Sequence, residues 1–488
     1  VSLLSSSRAE RITARFQGVR LLVVGDLMLD HWVWGRVSRI SPEAPIPVVD
    51  VERYSHTPGG AANVVSNLRA LGAEVDLLGV VGADDAGRRL RGLLARQGVG
   101  VQGILADRRR PTTLKTRIIA HSQQVVRADY EERTPLDPAT ARKLLKWVKE
   151  RRHLYAGVLF SDYGKGMFAD TLLPEMLHTL RHLPSVGGPK PESLERFRGV
   201  EVATLNASEA RAATGQDTSQ AEGLRAAGED LLARLGGKGV VITRGEQGMA
   251  LFLPGQPPHT VPALAEQVFD VSGAGDTVLA VVGLCHATGV SLDEAVRLAS
   301  HAAAVVVRKV GTATVSRREL LQAIVHSEVR PTSKILERSA LQERLAEMRA
   351  EEAGLKVVFT NGCFDLLHVG HLRTLQRARA LGDVLVVGVN SDASVARLKG
   401  PGRPLNPQQD RAELLAGLAC VDYVVIFEED TPEATLAALR PDVHVKGGDY
   451  REEDLPESDL VRSWGGQVVL AELVPGRSTS ALVEQIRK

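Results

Sequence analysis

Short apolar runs recur along this chain, each followed by a stretch with helical spacing, and that alternation leaves few folds open. Leu21-Leu22-Val23-Val24 and residues 75–81, 157–160 and 239–243 read as strands. Residues 61–71 and 139–150 carry amphipathic helical patterns. The small apolar residues after Asp276, through Ala280, Val281, Val282 and Gly283, predict a long buried helix. Strand and helix in alternation imply α/β architecture on largely parallel sheets.

The pattern restarts beyond residue 325. Arg330-Pro331-Thr332-Ser333 breaks it, and residues 339–352 read as a charged helix with a narrow apolar stripe. Lys356-Val357-Val358-Phe359 opens a second series, with strands expected at 384–389, 423–427, 443–445 and 468–473. A chain of 488 residues exceeds the usual size of one core. The expected division is a domain over residues 1–327, a linker with a helix over 328–354 and a small doubly wound domain over 355–488.

Composition narrows the functional classes. Lys plus Arg total 60 against 59 Asp plus Glu, a net charge of +1, so no global field favours nucleic acid or a membrane surface. The run Arg108-Arg109-Arg110 has no interleaved aromatic residues and reads as a solvated loop. Cys285, Cys363 and Cys420 show no CxxC spacing, which argues against a disulfide framework or a Cys-based zinc site and for a reducing cytoplasm. Residues 1–20 lack a signal-peptide pattern, and no apolar run approaches the roughly 20 residues that span a bilayer.

Two segments carry phosphate chemistry. In Asp270-Val271-Ser272-Gly273-Ala274-Gly275-Asp276, small residues let the backbone bend and approach a ligand closely. The helix that follows would aim its first amides at an anion. A carboxylate at that lip, Asp276, suits a general base for a substrate hydroxyl; a helix-capping Asp after a Gly turn is the plainer alternative. Three more turns fit the same picture. Gly59-Gly60-Ala61-Ala62-Asn63 enters a helix and suits a small substrate. Asn206-Ala207-Ser208-Glu209 follows a strand and could hold Mg²⁺-bound water. Thr243-Arg244-Gly245-Glu246-Gln247-Gly248 follows another strand, where nucleotides sit in open sheets.

The second segment is Phe359-Thr360-Asn361-Gly362-Cys363-Phe364-Asp365-Leu366-Leu367-His368-Val369-Gly370-His371. His368 and His371, three apart at a helix N-terminus, share a face and can donate to a phosphate gaining charge. Zinc is the competing reading, but no third ligand stands nearby in sequence. Supporting features follow in order: Asn390-Ser391-Asp392, the cations Lys399 and Arg411 for a triphosphate, Lys446-Gly447-Gly448-Asp449-Tyr450, and Ser478-Thr479-Ser480 before a final helix. Cys363 reads as a small packed residue.

The first set of motifs resembles the ribokinase-like (PfkB) sugar kinases, and the second the cytidylyltransferase-like nucleotidyltransferases with their HxGH signature. The implied folds are a ribokinase-like three-layer domain and a Rossmann-like nucleotidyltransferase domain. The first resemblance implies that Asp276 is the catalytic base and that the amides of Gly273, Ala274, Gly275 and Asp276 form the anion hole. Asn206 and Glu209 would organise Mg²⁺ and ATP phosphates, with Thr243, Arg244, Gly245 and Gly248 near the nucleotide. Asp30, Gly59, Gly60 and Asn63 would meet sugar hydroxyls, with Asp26 a further contributor or a turn cap. Lys115, Arg117 and Arg127 are candidates for a substrate phosphate. The second resemblance assigns His368 and His371 to catalysis. It sets Phe364, Lys399, Arg411, Ser478, Thr479 and Ser480 on the nucleotide, and Lys446 and Asp449 on the substrate.

Both halves in this order are similar to the bifunctional heptose-phosphate kinase/adenylyltransferases of lipopolysaccharide precursor synthesis. Gly25-Asp26-Leu27-Met28-Leu29-Asp30, Ser38-Arg39-Ile40-Ser41-Pro42 and Ser161-Asp162-Tyr163-Gly164-Lys165-Gly166 carry that match. It implies two ATP-dependent reactions with a separate phosphatase between them, and a homodimer formed through the kinase domain. A different sugar, a different phosphorylated alcohol or a different nucleotide is the rival expectation. One departure stands out: the family's Asp-Pro-Lys is Gly188-Pro189-Lys190 here, so the preceding strand is expected to be short and its carboxylate is missing, while Lys190 stays an ATP-site candidate.

Overall fold

A computed structural model describes residues 4–120, 123–168, 172–265, 268–309, 311–328, 334–351, 354–400, 402–447 and 457–471. The chain divides into two compact units, one of Leu4–Ile324 and one that begins at Val325.

The first unit is built on a nine-stranded sheet. Its strands are β1 (Arg20–Gly25), β4 (Glu74–Gly82), β5 (Ile104–Asp107), β8 (Gly157–Ser161), β9 (Ser185–Gly188), β10 (Val202–Asn206), β11 (Gly239–Thr243), β12 (Met249–Phe252) and β13 (His259–Val261). The order is β13-β12-β11-β10-β9-β8-β1-β4-β5, parallel except where β12 and β13 join. Side chains alternate across the pleat, as a strand buried on both faces requires. Leu21 and Val23 enter one core, and Leu22 and Val24 the other. The helix Ala274–Ala287 is buried from Asp276 to Cys285, which is why its sequence is small and apolar all round. β9 is four residues long and ends on Gly188, yet it pairs with both β8 and β10, so the sheet is continuous there.

A second, four-stranded sheet was not legible as strands. It runs β3-β2-β6-β7, from β2 (Leu27–Ile40), β3 (Pro47–Gly60), β6 (Thr113–Ala120) and β7 (Gln123–Tyr130). β2 leaves β1 across the single residue Asp26, and β3 ends on Gly59 and Gly60 at the start of the helix Ala61–Ala70. Every residue of β7 is exposed, so no apolar stripe marks it in the sequence.

The second unit is a five-stranded parallel sheet in the order β16-β15-β14-β17-β18. The strands are β14 (Val357–Gly362), β15 (Val384–Asn390), β16 (Tyr423–Phe427), β17 (Val443–Gly447) and β18 (Gln467–Ala471). The strand order reverses between β14 and β17, so ligands are expected at the carboxyl ends of those two strands. The charged helix Arg338–Glu351 buries a narrow stripe, Leu341 and Leu345, against this sheet's core.

Candidate active sites

In the first unit the strand order reverses between β1 and β8, whose ends Gly25 and Ser161 stand in register. A cavity of about 260 Å³ opens beside that point, lined by Asp162, Tyr163, Gly188, Lys190, Asn206, Glu209, Thr243, Gly273, Gly275 and Asp276 among others. Gly273 caps the helix Ala274–Ala287 at φ +83°, a conformation open to glycine, and a Cβ there would press to 2.7 Å from Asn63 Nδ2. The helical ladder begins with the Thr277 amide donating to Gly273 O, which leaves the Gly275 and Asp276 amides at the cavity for an anion.

Asp276 is buried in that first turn. Asn63 Nδ2 donates to its Oδ2 at 2.8 Å, and the Tyr163 hydroxyl donates to its Oδ1 at 2.6 Å. Burial raises its pKa to about 6 against the lowering effect of those two donors; the charge of Asp30 raises it and that of Lys190 lowers it. A carboxyl tuned close to the working pH accepts protons efficiently.

Asp30 lies buried on β2, and Gly59 faces it so closely that a Cβ on Gly59 would strike its Oδ2. Gly60 turns the chain at φ +60° against Asp26 O. Gly59→Ala is therefore expected to displace Asp30 and lower kcat/KM for the sugar by roughly tenfold or more, read from sugar-phosphorylation kinetics. Arg117, a candidate for a substrate phosphate, donates from Nη1 to Asp30 Oδ1 at 2.6 Å with its guanidinium over Trp32, so it also orients that carboxylate. Lys115 and Arg127 share Asp129, at 3.8 and 3.1 Å, on the same face of the small sheet.

Asn206 and Glu209 form a capping box: Asn206 Oδ1 accepts from the Glu209 amide at 2.8 Å and Glu209 Oε2 from the Asn206 amide at 2.9 Å. Glu209 Oε1 also pairs with Lys190 Nζ. Among the described residues no cluster of three or more acidic, His or Cys side chains could hold a metal by itself. Two polar groups at the cavity rim suit a magnesium ion that keeps its waters and binds mainly through phosphate oxygens. Gly188 lines the cavity with nothing closer than 3.5 Å to an added Cβ, so the missing carboxylate leaves space. Arg244 bonds Gln247 at 2.5 Å across the exposed turn that includes Gly245, and Gly248 packs tightly on the backbone after β13, so these three lie outside the cavity lining.

Two residues of this site escaped assignment, Asp162 and Tyr163, and a third, Asp26, had two expected roles. Asp26 accepts from the amides of Tyr163, Lys165 and Met167 at 2.8, 3.1 and 3.2 Å, and burial with Asp162 beside it raises its pKa to about 6. It is a turn cap, the second of its two expected roles. The Ser161–Gly166 motif held the signal for the other two.

In the second unit His368 caps the helix Val369–Arg379, its Nδ1 accepting from the Gly370 amide at 3.1 Å. Its ring stacks on His371 at 3.9 Å, and Phe364 meets His371 edge-on at 5.3 Å. Phe364 holds φ +47°, a costly conformation for an aromatic residue, which the packing of its ring on His371 maintains. Burial, then the neighbouring charges of His368 and Lys399, lower the His371 pKa to about 4, and its buried Nδ1 has no hydrogen-bond partner among the described residues. A neutral imidazole with a spare nitrogen is suited to an incoming phosphate.

Arg411, expected to offer a cation to a triphosphate, is fully buried, donating to Cys363 O at 2.5 Å, Asn406 O at 3.0 Å and Asp392 Oδ1 at 2.7 Å. It braces the signature loop, as does Asp365, which accepts from Arg403 Nε and the Leu405 and Asn406 amides. Arg411→Met should leave the two carbonyls without donors and cost about 2–3 kcal/mol, measured by urea unfolding. Lys399 stays exposed. Lys446, at the end of β17, reaches Glu457 at 2.6 Å and Asn361 at 3.4 Å, across the point where the strand order reverses. Asp449, Ser478, Thr479 and Ser480 lie outside the described residues.

The first site is that of a carbohydrate kinase and the second that of a nucleotidyltransferase, and comparison with known proteins agrees. A model of the pfkB family of carbohydrate kinases matches residues 20–319, and a cytidylyltransferase-like model matches residues 359–475. Solved relatives share the fold of the first unit. Arabidopsis thaliana ribokinase complexed with ribose and ATP aligns at TM-score 0.52 and 21% identity, over 63% of this chain and 99% of that one. Escherichia coli phosphofructokinase-2 in complex with potassium aligns at 0.54 and 19%, over 64% and 99%.

The chain belongs to the HldE family of bifunctional proteins. It is 45% identical over 479 residues to bifunctional protein HldE of Syntrophotalea carbinolica, covering 98% of this chain and 97% of that one. It is 46% identical over 481 residues to that of Geobacter sulfurreducens, covering 98% of each.

Proposed function

We propose that the chain catalyses two ATP-dependent steps of ADP-heptose synthesis. The first unit phosphorylates D-glycero-β-D-manno-heptose 7-phosphate at C1, giving the 1,7-bisphosphate. The second transfers AMP from ATP to heptose 1-phosphate, giving ADP-heptose and pyrophosphate. The observation that carries the first reading is Asp276, a buried carboxyl with a pKa of about 6 at the amide-rich mouth of a helix.

In the kinase step Asp30, Gly59, Gly60 and Asn63 hold the sugar, with Lys115 and Arg127 facing its 7-phosphate. Asp276 accepts the C1 hydroxyl proton as that oxygen attacks the γ-phosphorus and the bond from that phosphorus to the β–γ bridging oxygen breaks, releasing ADP. The Gly275 and Asp276 amides hold the charge on the transferred group. Asn206 and Glu209 would hold Mg²⁺ through water. That ion, when bound, neutralises charge on the triphosphate. In the transferase step the sugar 1-phosphate oxygen attacks the α-phosphorus, and His368 and His371 donate to the α-phosphate as its charge grows. Lys399 faces the leaving pyrophosphate and Lys446 the sugar phosphate.

The product of the first step carries a 7-phosphate that the second substrate lacks, so a separate phosphatase acts between them. ATP and reduced thiols imply the cytoplasm, and among the described residues no helix is long and apolar enough to cross a membrane. A homodimer through the kinase unit is supported by Tyr54, Val126 and Tyr130, exposed apolar side chains on the four-stranded sheet.

Phosphorus NMR of the purified chain with ATP and heptose 7-phosphate, phosphatase added second, tests both steps. A bisphosphate should form first, then ADP-heptose and pyrophosphate. No bisphosphate in the first stage would sink the kinase assignment. Because the second unit matches a cytidylyltransferase-like model, CTP belongs beside ATP in that trial.

A further inference from the structure

Asp276 is gripped on both oxygens, and one grip comes from a residue whose position is itself fixed from the far side. Tyr163 follows β8 at the point where the strand order reverses, half-buried in the cleft. The carboxylate of Asp26, at the end of β1, binds the amides of Tyr163, Lys165 and Met167 and so pins the turn. Lys190 Nζ lies 5.0 Å from the centre of the Tyr163 ring. The hydroxyl then donates to Asp276 Oδ1 at 2.6 Å while Asn63 holds Oδ2.

We infer that Tyr163 is a positioning residue of phosphoryl transfer, whose hydroxyl orients the Asp276 carboxylate and keeps it in the ionised, proton-accepting form. This rests on the reading of Asp276 as the base. With one donor on each oxygen the carboxyl plane is set, and each oxygen keeps a second lone pair for the sugar hydroxyl. The phenol stays protonated at any working pH, because burial and the Asp276 charge hold its pKa well above the ordinary value. The other charged groups facing this carboxyl are Asp30 from β2 and Lys190 after β9, with Glu209 beyond the tyrosine and Arg117 engaged by Asp30. Asp30 and Lys190 act in opposite senses, which leaves the hydroxyl of Tyr163 and the amide of Asn63 as the direct donors that favour the anion.

The test is kcat/KM for sugar phosphorylation against pH in full-length Tyr163→Phe. A carboxylate base loses activity as pH falls through its pKa, and loss of a donor to the anion raises that pKa. The acid limb should move up by about one pH unit, giving roughly tenfold lower activity below it, with adenylyl transfer unchanged. An unmoved limb, with or without a lower rate, overturns the proposal. Should the variant fail to fold, biosynthetic incorporation of fluorotyrosine keeps the fold and strengthens the donor. The limb should then move down, and an unmoved limb again overturns the proposal. Asp276→Asn separates the two readings: phosphorylation that survives it removes the base itself, whereas an unmoved limb beside an inactive Asp276→Asn removes only the role of Tyr163.

Discussion

Asp276→Asn should leave a folded chain that still makes ADP-heptose from supplied heptose 1-phosphate but phosphorylates heptose 7-phosphate at least about a hundredfold more slowly. The substitution keeps shape and neighbours. Asn63 can still reach the side-chain oxygen, and the Tyr163 hydroxyl has only to turn toward a different acceptor. What disappears is the ability to take a proton while the sugar oxygen attacks. Binding of both substrates should persist, so the loss should fall on kcat, with KM little changed. Separate assays of the two half-reactions on one preparation check this. Loss of both activities in a folded protein would mean that the sites are not independent.

The complementary result is expected from His371→Ala. Adenylyl transfer should fall by about 10²–10³, the range for removing one donor to a developing phosphate charge, while sugar phosphorylation stays at its full rate. Burial and neighbouring charges lower the His371 pKa to about 4, so the contribution expected of it is that of a neutral hydrogen-bond donor and not of a fixed cation. Raising the salt concentration should therefore leave its contribution nearly intact. His368→Ala should cost as much or more, because it also removes the acceptor for the Gly370 amide that caps the helix. A wild-type rate in either variant would remove the HxGH assignment.

Much of this was readable in the sequence, for physical reasons that differ by element. Strands buried on both faces, such as β1 and β15, are apolar throughout and announce themselves. β2, β3, β6 and β7 carry polar and aromatic residues on faces that are half wet, so they appeared as motifs without a shape. Asp276, His368 and His371 were legible because small residues and helix starts surround them. Arg411 and Arg117 kept their partners hidden for one reason: a cation in a sequence looks free, and its partner is set by the fold. Here those partners are Asp392, 19 residues before Arg411, and Asp30, 87 residues before Arg117. Tyr163 was missed because its function depends on a contact 113 residues away.

The bond from Asn63 to Asp276 spans 213 positions of the chain. During synthesis the sugar-facing half of the first site therefore leaves the ribosome long before its base does. The helix Ala61–Ala70 shares one core with the helix Ala274–Ala287, so the early strands have neither a completed core nor a base until that helix emerges. Domains fold as units from the N-terminus, so the nascent enzyme stays inert toward the cell's ATP until the unit that can use it productively is whole.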